Sequence, residues 1–201
     1  SVGNLIIWST QLHPFWMGIL VSVVVGVALT LPISSAAICA AFGLVGLAGG
    51  AAVAGCCAQM VGFAVLSFKE NRWGGILSQG LGTSMLQMPN IIKNPKVWIA
   101  PTLASAITGP IATCLFKMEM NGAAVSSGMG TCGLVGQIGV VTGWFSPSET
   151  AVAHGAAAIS PNFMNWLGLI LICFVLPGVL CWAFGKVFRK IGWIKDGDLA
   201  L

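Results

Sequence analysis

Charge is what this 201-residue sequence has least of. Only 7% of its residues are Asp, Glu, Lys or Arg, while 57% are hydrophobic. Soluble domains carry roughly 25% charged residues. A globule with so few charges could not cover its surface with solvated groups. The composition suits lipid. There, every backbone N–H and C=O must be partnered within the protein, which leaves helices or a closed barrel. Barrel strands would read as short segments of alternating polarity. The apolar runs here are long and continuous, so the expected fold is an all-α integral membrane protein, a polytopic helical bundle with re-entrant or broken helices.

Other shortages exclude whole classes of function. The nine basic residues sit at the ends of apolar runs, and no basic stripe follows them. Nucleic acid is therefore not an expected partner. With His13 and His154 as the only histidines, no nucleophile–base–orienter set and no familiar metal-ligand spacing can be assembled. An enzyme acting alone is excluded on that basis, and no cofactor is expected. The seven cysteines form no CxxC pair and lie in apolar surroundings, where small packing residues are expected. The glycine-rich run from Gly128 to Gly139 lacks the Gly-Lys-Ser/Thr ending of a phosphate loop.

The sequence opens on Ser1 without a basic region followed by a short apolar core. We expect an N-terminal portion to precede it, and residues 1–201 to form a single transmembrane domain.

What is present are apolar spans separated by polar, broken stretches. The first span runs from Phe15 to Leu31 and ends at Pro32, with an extension toward Gln11. Pro32 to Gly50 is rich in small residues and reads as a loose or half-helix. A second span covers Ala51 to Phe68. Gly46 and Gly50 give it a small-xxx-small face for close helix packing. The third covers Val97 to Phe116, with Pro101 and Pro110 expected to kink it. The last covers Phe163 to Phe184. Lys69, Arg72 and the group Lys186, Arg189 and Lys190 mark the cytoplasmic side, which makes the C-terminus cytoplasmic. Lys117 and Glu119 then face outward as interface residues.

Two stretches are too polar and too interrupted to face lipid. In 74–94, Thr83, Ser84, Gln87, Asn90 and Asn94 offer hydroxyls and amides suited to a polyhydroxylated solute. They could equally satisfy broken backbone in a re-entrant turn. In 126–161, Gly130, Gly133, Gly136 and Gly139 recur every three residues, a spacing that predicts a bare strip on one helical face. Glu149 and His154 follow between Pro147 and Pro161. An ionisable residue at membrane depth usually marks a substrate or ion path, whereas Ser146-Pro147-Ser148 is also ordinary turn chemistry. The two stretches are expected to approach one another, with Gln87, Asn90, Glu149 and His154 converging on one cavity.

The run from Gly82 to Pro101, with Asn94-Pro95 and Ile99-Ala100-Pro101, resembles the EIIC membrane subunits of the sugar phosphotransferase system. The run Ala123 to Trp144 resembles an EIIC-like subgroup that includes membrane regulators of toxin production. The resemblance extends over about residues 11 to 185. It implies a bacterial cytoplasmic-membrane homodimer that binds a small polar solute, a sugar or sugar derivative, and carries it across the lipid. A separate cytoplasmic EIIB would perform the phosphoryl transfer. Sugar-transporting members carry a Glu-Pro shortly before the Asn-Pro. Here that region reads Thr83-Ser84-Met85, with no carboxylate between Glu70 and Glu119. This departure supports the alternative of a non-transporting sensor on the same scaffold.

Overall fold

A computed structural model describes residues 2–201. Helix α1 covers Val2–Leu12 and α2 Pro14–Thr30. The first span thus begins at Pro14. The chain upstream folds as a helix of its own and does not extend α2, because Pro14 occupies the first turn, where its missing N–H costs nothing. Helix α3 is Ser35–Phe42, capped by Ser34 Oγ, which accepts from Ala37 N.

Helix α4, Gly46–Leu66, is the axis of the molecule. It is buried nearly end to end, and α2, α7 and α11 pack around it. Gly49 and Gly50, placed by sequence in a loose lead-in, are regular turns of α4. Their bare faces admit the backbone of Met118 to Met120. Gly46 exchanges both backbone hydrogen bonds with Met120 at 3.0 Å, the one isolated extended pairing among the described residues. On the far side, a side chain on Gly26 would lie 2.7 Å from the carbonyl oxygen of Gly55, so α2 and α4 cross with glycine on both faces.

After α4 the chain breaks repeatedly. Helix α5, Phe68–Gly75, bends at Arg72 (φ +51°). A wide π turn covers Ile76–Gly82 and a 3-10 turn covers Ser84–Gln87, followed by short α6, Met88–Lys93. Helix α7, Ile99–Pro110, follows the 3-10 turn Pro95–Trp98 and loosens into a π turn at Ile111–Leu115. Pro101 lies in its first turn, where it fits. Pro110 lacks the N–H that would continue the ladder, and the regular helix ends there.

Segment 121–134 is irregular. Gly130 and Gly133 take positive φ values (+55° and +54°) and break the chain, so they do not share a helical strip with the later glycines. Only Gly136, Gly139 and Gly143 ride on α8, Val135–Phe145: Gly136 and Gly143 face the backbone of Gly130 and of Asn121–Gly122, and Gly139 faces the side chains of Ser126 and Met120. Helix α9, Glu149–Ala153, is one turn capped by Ser148. Helix α10, Phe163–Ile170, opens on a capping box between Asn162 and Asn165. It passes through a π turn into α11, Leu176–Ile191, because Pro177 cannot donate to the preceding turn.

Among the described residues, three helical stretches are long and apolar enough to cross a membrane: Gly46–Leu66, Pro95–Leu115 and Phe163–Ile191. Around them lies an apolar exterior that includes Trp16, Leu20, Val24, Leu115 and Phe163. Water would penalise that surface, whereas lipid matches it.

Candidate functional site

The polar side chains inside this apolar bundle form connected networks. The first surrounds Gln59, buried on α4. Its Oε1 accepts from Thr30 Oγ1 at 3.1 Å and from Trp98 Nε1 at 2.9 Å, and its Nε2 donates to Thr102 Oγ1 at 3.4 Å. Thr30 Oγ1 also pairs with Ser84 Oγ at 2.8 Å. The second network starts at Ser67. Gln79 Nε2 donates to Ser67 Oγ at 2.8 Å, and Gln87 Nε2 donates to Gln79 Oε1 at 2.9 Å. Asn90 Nδ2 donates to Gln87 Oε1 at 2.8 Å. The 3-10 turn Ser84–Gln87 links the two networks, with Ser84 in one and Gln87 in the other. None of these groups carries charge, and a neutral network is the least costly way to keep polar groups in a dry interior.

The tail, residues 193–201, closes the second network. Gln87 Nε2 donates to Leu199 O at 3.0 Å, Asn90 Nδ2 to Ala200 O at 2.9 Å and Asn71 Nδ2 to Leu199 O at 2.7 Å. Asn94 Nδ2 reaches Trp193 O at 2.9 Å and Asp198 Oδ2 at 2.8 Å. Leu199 is fully buried beside Phe63, Ile91 and Phe188. Asp198 also accepts from Lys195 N; that bond comes first, and the Asn94 amide adds to it, in holding its carboxyl below the usual range. Lys69 does the same to Asp196 through an ion pair at 2.7 Å, helped by Arg189. Arg189 Nη2 also grips Glu70, at 2.8 Å and 3.0 Å from its two carboxylate oxygens.

The structure therefore brings Ser84, Gln87, Asn90 and Asn94 together, with Thr83 half-buried beside them as the cap of the 3-10 turn. Glu149 and His154 do not join them. Both are exposed, at the opposite end of α4. There Ser148 N donates to Asn121 O, and Thr150 lies against Gly43. Helix α4 separates the two groups by about 30 Å at 1.5 Å per residue. Glu149 begins a one-turn helix whose N-terminus favours a carboxylate in water, so exposure suits it. The two broken stretches do meet, but elsewhere: Thr131 Oγ1 donates to Gly80 O.

Sequence reasoning passed over a second polar place. A cavity of about 270 Å³ opens at the Glu149 end of the bundle, lined by Lys117, Glu119, Asn121, Trp144 and Asn165 among others. Glu119 Oε2 accepts from Asn121 Nδ2 at 2.8 Å. Trp144 is nearly buried and stands edge-on to Trp166. Nothing in the spacing of these residues announces that they meet, since they come from three separate segments.

A buried, charge-free polar interior within an apolar helical shell defines an all-α membrane protein, built to handle polar groups inside lipid. The comparison with protein families makes this specific: the model for the phosphotransferase system EIIC domain matches residues 1–201. The chain belongs to that family of the bacterial membrane. EIIC domains are the membrane translocation subunit for sugars, and phosphoryl transfer is done by the EIIA and EIIB components. No curated protein and no solved structure matched the chain.

Proposed function

We propose that this chain binds and translocates a small polar solute, a sugar or sugar derivative, which a cytoplasmic EIIB-like partner phosphorylates. The observation that carries the reading is the pair of neutral networks, one joining Gln59 to Ser84 and the other joining Gln87 to Asn90, which meet at the turn Ser84–Gln87. Hydroxyls and amides can exchange partners with a polyhydroxylated solute without uncovering a buried charge. Thr83, Ser84, Gln87, Asn90 and Asn94 are the wall that a solute meets at the tail end. In the arrangement seen, backbone carbonyls of 193–201 hold the donors that solute oxygens would take.

Eight of the nine Lys and Arg residues belong to segments at that same end, with Lys117 the exception. Positive charge concentrates on the cytoplasmic side of membrane proteins, which supports a cytoplasmic C-terminus. Residues 74–94 re-enter and do not cross, in keeping with their successive short turns and buried amides. The working unit is a homodimer, as in other EIIC subunits.

The sensor reading draws on one specific feature: the wall holds amides where sugar-transporting relatives use a carboxylate. Uptake of labelled sugars into proteoliposomes decides between the two. Saturable uptake supports translocation. Binding with no uptake across neutral, amino and acetylated hexoses supports the sensor.

A further inference from the structure

The cavity at the end of the bundle away from the tail brings together hydrogen-bonding groups that the protein itself leaves unused. Trp144 is 5% exposed, and its indole N–H has no partner among the described residues. Asn165 spends its side-chain oxygen on Asn162 N, at 2.9 Å, which leaves its NH2 group free. Glu119 accepts one hydrogen bond, from Asn121 Nδ2, and Asn121 keeps its own side-chain oxygen unpaired. Lys117 forms no ion pair among the described residues and sits in left-handed backbone (φ +46°), a conformation that costs a non-glycine residue energy.

The distribution is uneven. Deeper in the bundle, the amides of Gln59, Gln79, Gln87 and Asn90 all have partners, and Gln137 Oε1 is the one buried side-chain oxygen left without one among the described residues. Unpaired donors and acceptors are affordable around the cavity because solvent reaches it, and they remain available to a ligand. The set mixes a carboxylate, amide donors and acceptors, an ammonium and an indole. A carboxylate can accept from two neighbouring hydroxyls at once, and amides serve hydroxyls as either donor or acceptor. An indole presents an apolar face with a polar edge. The volume, about 270 Å³, lies near the small end of ligand pockets. It suits one sugar ring and not an oligosaccharide.

We infer that this cavity is the outward-side recognition site for a single monosaccharide, with Glu119 as its principal hydroxyl acceptor and Trp144 as its apolar platform and N–H donor. The inference rests on the translocation reading and adds the place and chemistry of first contact. It assigns sugar selection to Glu119, Asn121, Trp144 and Asn165, distant from the amide wall beside the tail.

The test uses the full chain in lipid nanodiscs, with tryptophan fluorescence titrated against glucose, mannose, N-acetylglucosamine and mannitol. In parallel, uptake is measured in proteoliposomes. Glu119→Gln keeps the shape of an exposed side chain, so it should fold as the wild type does. Loss of a charge-assisted hydrogen bond should weaken binding by about ten-fold or more. Trp144→Phe should weaken binding as well and abolish most of the fluorescence response, and a thermal melt without sugar confirms that it is folded. If wild type binds and transports a sugar while Glu119→Gln binds it with unchanged affinity, this inference falls and the translocation reading stands. If wild type neither binds nor transports any of the probes, both fall together.

Discussion

Gln87→Leu tests whether the buried amides hold the tail. Leucine matches the side chain in bulk and is at home in the core, so the substitution removes hydrogen bonds with little change of volume. The losses can be enumerated. Gln87 Nε2 no longer reaches Gln79 Oε1 or Leu199 O, and Asn90 Nδ2 loses its acceptor at Gln87 Oε1. At about 1 kcal/mol net for each bond, the cost is about 3 kcal/mol, more where a buried partner stays unsatisfied. The tail keeps its grip through Asn71, Asn94 and the Asp196 ion pairs, so the molecule should stay folded. Of the lost bonds, only the one from Gln87 Nε2 to Leu199 O crosses to the tail, so the tail's opening should become easier by about 1 kcal/mol, roughly five-fold at 1.36 kcal/mol per decade. Hydrogen exchange followed by mass spectrometry, in nanodiscs, reads this directly on peptides covering 193–201. Exchange there should accelerate by about five-fold, while α4 and α7 keep their protection. Wild-type exchange in the tail would refute the claim that Gln87 is what fastens it.

Arg189→Ala should destabilise the protein by about 3–5 kcal/mol, because it strands the nearly buried Glu70 carboxylate; the Glu70→Ala, Arg189→Ala pair should recover much of that loss in thermal unfolding. Gly55→Ala should cost at least about 1–3 kcal/mol, since the new methyl would lie 2.7 Å from the Ser22 Cα across the α2–α4 crossing. Gly178→Ala is the contrast: its methyl would meet only Val65 and Val61 at 3.7 Å and 3.9 Å, so the same unfolding assay should show no loss. The tail should also respond to acid. Asp196 and Asp198 are held below the ordinary carboxylate range in the folded state, so their contribution is present above about pH 4 and is lost as pH falls through the lowered values. A spin label at Leu201 should stay immobile from neutral pH down to about pH 4 and gain mobility only below it.

Three of the four expected spans were legible because lipid demands long apolar runs, while the first folds as the shorter, 17-residue α2; the breaks were legible because proline and glycine mark where the ladder fails. The limits of α2 and α7 follow Pro14 and Pro110 closely. Less legible was the glycine spacing in 130–139, since a three-residue repeat reads as a helical face until two of its members adopt positive φ. The amide wall was visible as a cluster, because Gln87, Asn90 and Asn94 are neighbours in sequence. Their partner was not: residues 193–201 carry ordinary charged and turn-forming side chains, and they bind through backbone carbonyls, which every sequence has. Pairing Glu149 with His154 relied on depth, and depth depends on where the chain folds. The cavity around Glu119 depends on Trp144 and Asn165, which lie well along the chain from it.

The central claim is that this chain carries a sugar through lipid to a phosphoryl donor on its tail side. The most direct measurement places phosphorylated EIIB inside proteoliposomes bearing the full chain and supplies labelled sugar outside. The account predicts that labelled sugar phosphate accumulates in the lumen, from the fraction of chains whose tail faces inward, at a rate above that of protein-free vesicles. Wild-type chain that binds sugar and EIIB yet yields no lumenal sugar phosphate over that background would contradict it.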